Sequence, residues 1–145
     1  MTVVAWDGKV LAADRRATLG TLIRTTTKIH RMENGDLCAY AGDAAAGEEL
    51  LAWFRSGADQ ARFPIDRRKD DPWASLLVIR KRPRAILKYE TTPYPLTFKD
   101  KTFAIGSGRD FALAAMACGR SAIKAVELAA KFDSGCGNGV DWERL

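Results

Sequence analysis

Histidine occurs once in this chain of 145 residues and cysteine three times, which leaves little material for a metal site or a disulfide framework. Cys38, Cys118 and Cys136 form no close pair and match no metal-ligand spacing. Their odd number, with no basic-then-apolar leader at the N-terminus, points to a reducing cytoplasm. No apolar run reaches the roughly 18 residues that a bilayer-spanning helix needs, so no membrane partner is expected. Internal repeats and low-complexity stretches are absent too. A basic face interleaved with aromatics, the usual footprint of a nucleic-acid binder, is also missing. The net charge of +5 sits largely in two clusters, Arg67-Arg68-Lys69 and Arg80-Lys81-Arg82-Pro83-Arg84. The cluster at 80–84 has the pattern of a solvated turn between strands, so no nucleic-acid partner is expected.

What is present describes a globular protein. Hydrophobic residues make up 47% and charged residues 28%, enough for one core in one domain spanning 1–145. Thr2 to Trp6 is β-prone, Asp7-Gly8 is a hairpin signal, and Lys9 to Ala13 returns as a second strand. Asp14 to Gly20 reads as a polar exit. Thr21 to Met32 is rich in β-branched residues and reads as extended. Asn34-Gly35 turns the chain into a strand over Leu37 to Ala41 that ends at Gly42. Asp43 can cap a helix whose apolar stripe is Leu50, Leu51, Trp53 and Phe54, with Gly57 ending it. Residues 58–72 carry no clear pattern.

Ser75 to Ile79 and Ala85 to Tyr89 form a second hairpin pattern, and the Pro93 and Pro95 segment reads as a loop. Thr102 to Ile105 is a short buried strand leading to Gly106-Ser107-Gly108. Two helical patterns follow, Phe111 to Cys118 and Ser121 to Phe132, the second with Ile123, Val126 and Ala130 in register. Asp133 to Gly139 is a glycine-rich loop. Strands followed by helices predict layered sheets with helices outside. The last two helices pack on one sheet, and the middle helix joins the same layers.

Thr2 stands directly behind Met1 and is small enough to permit removal of that methionine. Thr2 then carries a hydroxyl and an α-amine on one residue. A hydroxyl is a weak nucleophile and needs a nearby base. An α-amine titrates at about 7.7–8.0, so part of it is unprotonated at neutral pH and can take the proton. One residue can supply both halves of a nucleophilic pair.

Five segments, in order, resemble the proteasome β-subunit family, including its bacterial relative HslV. They are the Thr2 hairpin running into Ala12-Ala13-Asp14-Arg15-Arg16; Lys28; Tyr40-Ala41-Gly42 with the helix behind it; Gly106-Ser107-Gly108 with the next helix; and Asp133 with its glycine-rich tail. The resemblance implies an α+β N-terminal-nucleophile hydrolase. Its architecture is a four-layer αββα sandwich of two stacked, mainly antiparallel sheets, short at the C-terminus. It implies a threonine-type endopeptidase that needs no cofactor and no metal. The subunits assemble with themselves into rings through the helices at 111–132. The rings act on polypeptide chains delivered by an ATPase unfoldase.

In that scheme Thr2 Oγ1 attacks, and the Lys28 cation lowers the pKa of the amine. Asp14 pairs with Lys28, because a buried ammonium without a partner is costly. The Gly42 N–H binds the oxyanion. Ser107 holds the amine and its water, and Asp133 supports that network. Ala17, Thr26, Tyr40 and Ala44 line the pocket for the side chain before the cleaved bond, and Thr18 offers its backbone to an extended substrate.

Read singly, Asp14 suits a turn cap, Lys28 a solvated strand, Gly42 a strand-to-helix turn and Ser107 a helix entry. Three departures stand out. Met1 precedes Thr2, Cys136 replaces a serine, and the chain stops where the resemblance implies further strands, leaving a sheet edge open. Two other functions stay open at this level: a catalytically inactive ring subunit that retains Met1, and an amidase acting on small amides.

Overall fold

The computed structural model describes residues 1–64 and 74–145. The Arg67-Arg68-Lys69 cluster and Ile65 lie outside the described residues. Two compact units are formed, one from Met1–His30 with Asp100–Leu145, the other from Arg31–Lys99.

The first unit is built on a sheet of β1 (Val3–Trp6), β2 (Val10–Asp14), β10 (Phe103–Gly106) and β11 (Val140–Arg144), in the order β10-β1-β2-β11 and antiparallel throughout. The turn joining β1 to β2 is set by Asp7, whose Oδ1 accepts the N–H groups of Lys9 and Val10, both at 2.9 Å. Every residue of β1 is buried, as suits a central strand with an unbroken apolar run. Helices α2 (Arg109–Ala117) and α3 (Ala122–Phe132) pack on this sheet. Val3, Ala5, Ala12 and Ala104 meet Ala112, Ala115, Ala122, Ala125, Val126 and Ala129, and these short side chains let the layers approach closely. The buried stripe of α3 is thus the alanine row with Val126, while Ile123 and Ala130 are only partly buried at its margin.

Between β2 and Lys28 the chain forms a separate hairpin of β3 (Arg16–Leu19) and β4 (Leu22–Thr25). A strand therefore replaces the expected polar exit. Most of the hairpin is exposed, so it lacks the buried alternation that marks a strand in sequence. Strand β11 lies beside β2 and forms the edge of this sheet, pairing with no further strand among the described residues; it too is mostly exposed and carries charges.

A five-stranded sheet runs β5 (Ile29–Arg31), β6 (Leu37–Gly42), β7 (Ala74–Arg80), β8 (Ala85–Tyr89), β9 (Leu96–Phe98), and its strands β6 to β9 lie in the second unit. The basic turn Lys81 to Arg84 joins β7 to β8, as expected. Strand β9 emerges from the stretch read as a loop, again with little burial. Helix α1 (Ala44–Arg55) starts at Asp43, whose side chain accepts the Ala46 N–H at 2.9 Å. It buries Leu50, Leu51 and Trp53 against Leu76, Val78, Leu87 and Tyr89. The middle helix therefore covers this sheet and not the one beneath α2 and α3. The difference follows from connectivity, since α1 continues directly from β6 and precedes β7.

Candidate active site

Strand register collects the chemistry at one end of the first sheet. Val4 pairs with Ala13, so Thr2 before β1 and Asp14 at the end of β2 share that end. Val3 pairs with Gly106, which places Ser107 beside Thr2. Val140 pairs with Asp14, so the loop 133–139 arrives at the same place. Gly106 is required here. Its φ is +94°, and a Cβ would lie 2.2 Å from the Thr2 carbonyl oxygen. Lys28 returns to the site because the hairpin closes on itself, with Thr26 N–H bonded to Arg15 O at 2.8 Å.

Thr2, Asp14 and Lys28 are 4%, 0% and 7% exposed. Lys28 Nζ lies 2.5 Å from Thr2 Oγ1 and 2.7 Å from Asp14 Oδ1. Thr2 Oγ1 donates to the same carboxylate oxygen at 2.7 Å. Asp14 Oδ1 also accepts Val3 N–H, while Oδ2 accepts the N–H groups of Arg16 and Gly137. The buried carboxylate is thereby compensated by one cation and four further donors.

The Thr2 nitrogen donates to Ser107 Oγ at 3.2 Å. It is a peptide nitrogen here and becomes the α-amine if Met1 is removed. Ser107 also lies 3.3 Å from Thr2 O and is hydrogen-bonded to the Asp133 carboxylate. Burial pushes the Asp133 carboxyl up, but Ser107, the Gly135 N–H and the Cys136 thiol together outweigh it and hold the group below its ordinary value. Cys136 Sγ donates to Asp133 at 3.3 Å. Burial, then the charges of Asp14 and Asp133, push this thiol up to about 12, so it stays protonated.

The structure thus brings together Thr2, Asp14, Lys28, Ser107 and Asp133. Ala17 is half-buried and Thr18 exposed on β3, and Thr26 is exposed just beyond β4. Gly42, Tyr40 and Ala44 belong to the second unit, at the junction of β6 and α1. Gly42 has φ +110°. Tyr40 packs on Gly47, where a Cβ would lie 2.1 Å from its ring, and its hydroxyl donates to Glu48 at 2.8 Å. Gly137, whose N–H reaches Asp14, was missed as a site residue; the glycine string at 135–139 was its only trace in the sequence.

A family model described as proteasome subunit matches residues 1–75 of the 145. The chain belongs to the proteasome subunit family. Among its relatives is proteasome subunit beta 1 of Pyrobaculum calidifontis, 28% identical over 96% of this chain and 85% of that protein. Two solved structures share the fold. One is the Thiobacillus denitrificans BPH in complex with epoxomicin, with TM-score 0.74, 22% identity and coverage of 100% of this chain and 98% of that one. The other is HslV of Trypanosoma brucei, with TM-score 0.71, 24% identity and coverage of 99% and 98%. The α+β fold with mainly antiparallel sheets that the resemblance implies is therefore the fold of this proteasome-family chain.

Proposed function

We propose that this proteasome-family chain is a threonine-type peptidase subunit in which loss of Met1 turns Thr2 into both nucleophile and base. The observation that carries the reading is the placement of Thr2 Oγ1 between Lys28 Nζ and Asp14 Oδ1 in a buried setting. Thr2 Oγ1 attacks the peptide carbonyl carbon, and its proton passes through a water to the α-amine. The neighbouring ammonium disfavours a second positive charge, which keeps the amine neutral and basic. The resemblance gives the oxyanion to the Gly42 N–H. Collapse of the tetrahedral species breaks the C–N bond, and the protonated α-amine of Thr2 passes its proton to the leaving amine. Water then hydrolyses the ester with the same amine as base.

In this reading Ala17, Thr26, Tyr40 and Ala44 keep the part in recognising the substrate side chain that the resemblance implies. Strand β3 pairs only with β4 among the described residues, which suits addition of an extended substrate at Thr18. The subunit assembles with copies of itself into a ring through α2 and α3, and an ATPase unfoldase delivers polypeptide.

Mass spectrometry of the purified protein, with a peptide cleavage assay, tests this. A mature chain beginning at Thr2 and loss of cleavage in Thr2→Ala are expected. Epoxomicin, the compound solved with the Thiobacillus protein, should attach to Thr2, since an epoxyketone offers one electrophile to the hydroxyl and another to the amine. Cleavage that survives Thr2→Ala ends the proposal.

One observation favours a second reading, an inactive ring subunit. Met1 is seated against the loop, and a Cβ on Gly135 would lie 2.3 Å from Met1 Cβ. Retained Met1 with no epoxomicin adduct selects that reading.

A further inference from the structure

Besides the Asp133–Ser107 hydrogen bond, the loop 133–139 is fastened at two places, and only one of them is the buried Asp14 carboxylate. At the first, Gly137 N–H reaches Asp14 Oδ2 at 3.0 Å, and Gly137 O accepts from Arg15 N–H at 2.9 Å. At the second, Asn138 extends the only side chain between two glycines. Its Nδ2 donates to Arg24 O at 3.0 Å and to Thr25 Oγ1 at 3.1 Å. Its Oδ1 accepts from Arg16 Nε at 3.3 Å, while Arg16 Nη1 donates to Ser134 O at 2.6 Å. Asn138 has φ +63°, a conformation that asparagine tolerates better than other residues with a side chain. A glycine would adopt that backbone more easily, so the side chain has a use that outweighs the preference.

Register shows what the clamp holds. Arg24 lies opposite Ala17 and Thr25 opposite Arg16. Asn138 therefore grips the hairpin across from Arg16 and Ala17, the two residues that precede Thr18 on β3. The hairpin has few buried residues of its own to fix it. Side-chain bonds to the loop supply the rigidity that burial does not.

We infer that Asn138 is a positioning residue that locks the β3–β4 hairpin to the loop beside Thr2, so that the backbone at Thr18 is preset for an extended peptide. The inference rests on the peptidase reading above and adds a determinant of substrate length. A peptide long enough to run along β3 depends on the clamp, whereas a single-residue amide does not.

Asn138→Gly keeps the positive φ and removes all three side-chain hydrogen bonds. Kinetics on a fluorogenic tetrapeptide amide and on a single-residue fluorogenic amide separate positioning from general damage. Loss of these three exposed hydrogen bonds, offset in part by water, predicts a rise of about tenfold in KM for the tetrapeptide, with kcat within about twofold. Constants for the single-residue amide stay unchanged, and Thr25→Val moves KM in the same direction by less. An unchanged tetrapeptide KM, or an equal fall in kcat on both substrates, overturns the assignment.

Hydrogen exchange keeps failure of the clamp apart from failure of the peptidase reading. Amides of residues 16–25 exchange faster in Asn138→Gly, while those of β1 and β2 hold their protection. Unaltered exchange across 16–25 overturns the clamp whether or not the native protein cleaves peptides. A native protein that cleaves nothing but shows the exchange response overturns the peptidase reading and the substrate role, and leaves the clamp supported.

Discussion

Asp14 accepts five hydrogen bonds on its two oxygens, three on Oδ1 and two on Oδ2. Only one of these donors is a full charge. The two partners of the buried ion pair are therefore unequal. Asp14→Asn leaves the Lys28 ammonium buried without a counter-charge and turns an amide NH2 toward groups that also donate. Removing one partner of a buried pair in this way costs about 3–5 kcal/mol. Lys28→Met removes the cation but leaves the carboxylate four donors, so it costs less. Urea unfolding of the two variants checks the order, and a larger loss in Lys28→Met contradicts the compensation described here. Thr2, Asp14, Lys28 and Ser107 were legible at this scale only as an ordered set, through the family resemblance, since each read singly suits an ordinary structural role. Asn138 and Arg16 were not legible as a pair. Their contact spans 122 positions and follows no period.

At the scale of elements, a single carboxylate ties the first hairpin to the last helix. Asp7 Oδ2 accepts the N–H of Ala122, the first residue of α3, at 2.9 Å, while Oδ1 holds the β1–β2 turn. Burial pushes the Asp7 carboxyl up, yet the N–H groups of Ala122, Val10 and Lys9 outweigh it and keep the group below 3.8. A carboxylate depressed in the folded state stabilises at pH values above its unfolded pKa, and that stabilisation is lost as pH falls through the folded value. Asp7→Asn removes the charge at the start of α3, where an anion contributes about 0.3–1 kcal/mol. The variant is expected to melt below the native protein at pH 7, and the two curves should converge as pH falls through the lowered folded value of Asp7. A gap of constant size across that range would show that the charge contributes nothing.

The same turn shows why some elements could be read in advance. Asp7-Gly8 and the apolar β1 are local signals that tertiary structure leaves intact, as are Asp43 and the stripe of α1. Strands β3, β9 and β11 carry no such signal, because each is exposed over most of its length and no buried face imposes alternation. Which sheet α1 covers was also hidden, since its apolar stripe marks a buried face without naming the partner.

For the whole molecule, the proposed ring needs a surface that gains by burial, and α2 and α3 present one. Phe111 and Phe132 stack with ring centroids 5.6 Å apart. Phe132 is 66% exposed, with Phe111 and Leu128 partly exposed near it. Lys131, Lys124 and Glu127 are exposed on α3, which suits a contact of apolar centre and charged rim. Phe132→Lys removes apolar area from that centre and places a cation there in every copy. Folding of the subunit is little affected, because the side chain lies mostly in solvent and loses an aromatic pair worth about 0.5–1.5 kcal/mol. Assembly is affected strongly, since the same charge repeats at every contact. Light scattering coupled to size exclusion should give a smaller particle for Phe132→Lys than for the native protein at equal concentration, with the melting temperature of the subunit nearly kept. A particle of native mass would place the self-contact elsewhere, and with it the claim that these helices are where copies of the chain meet.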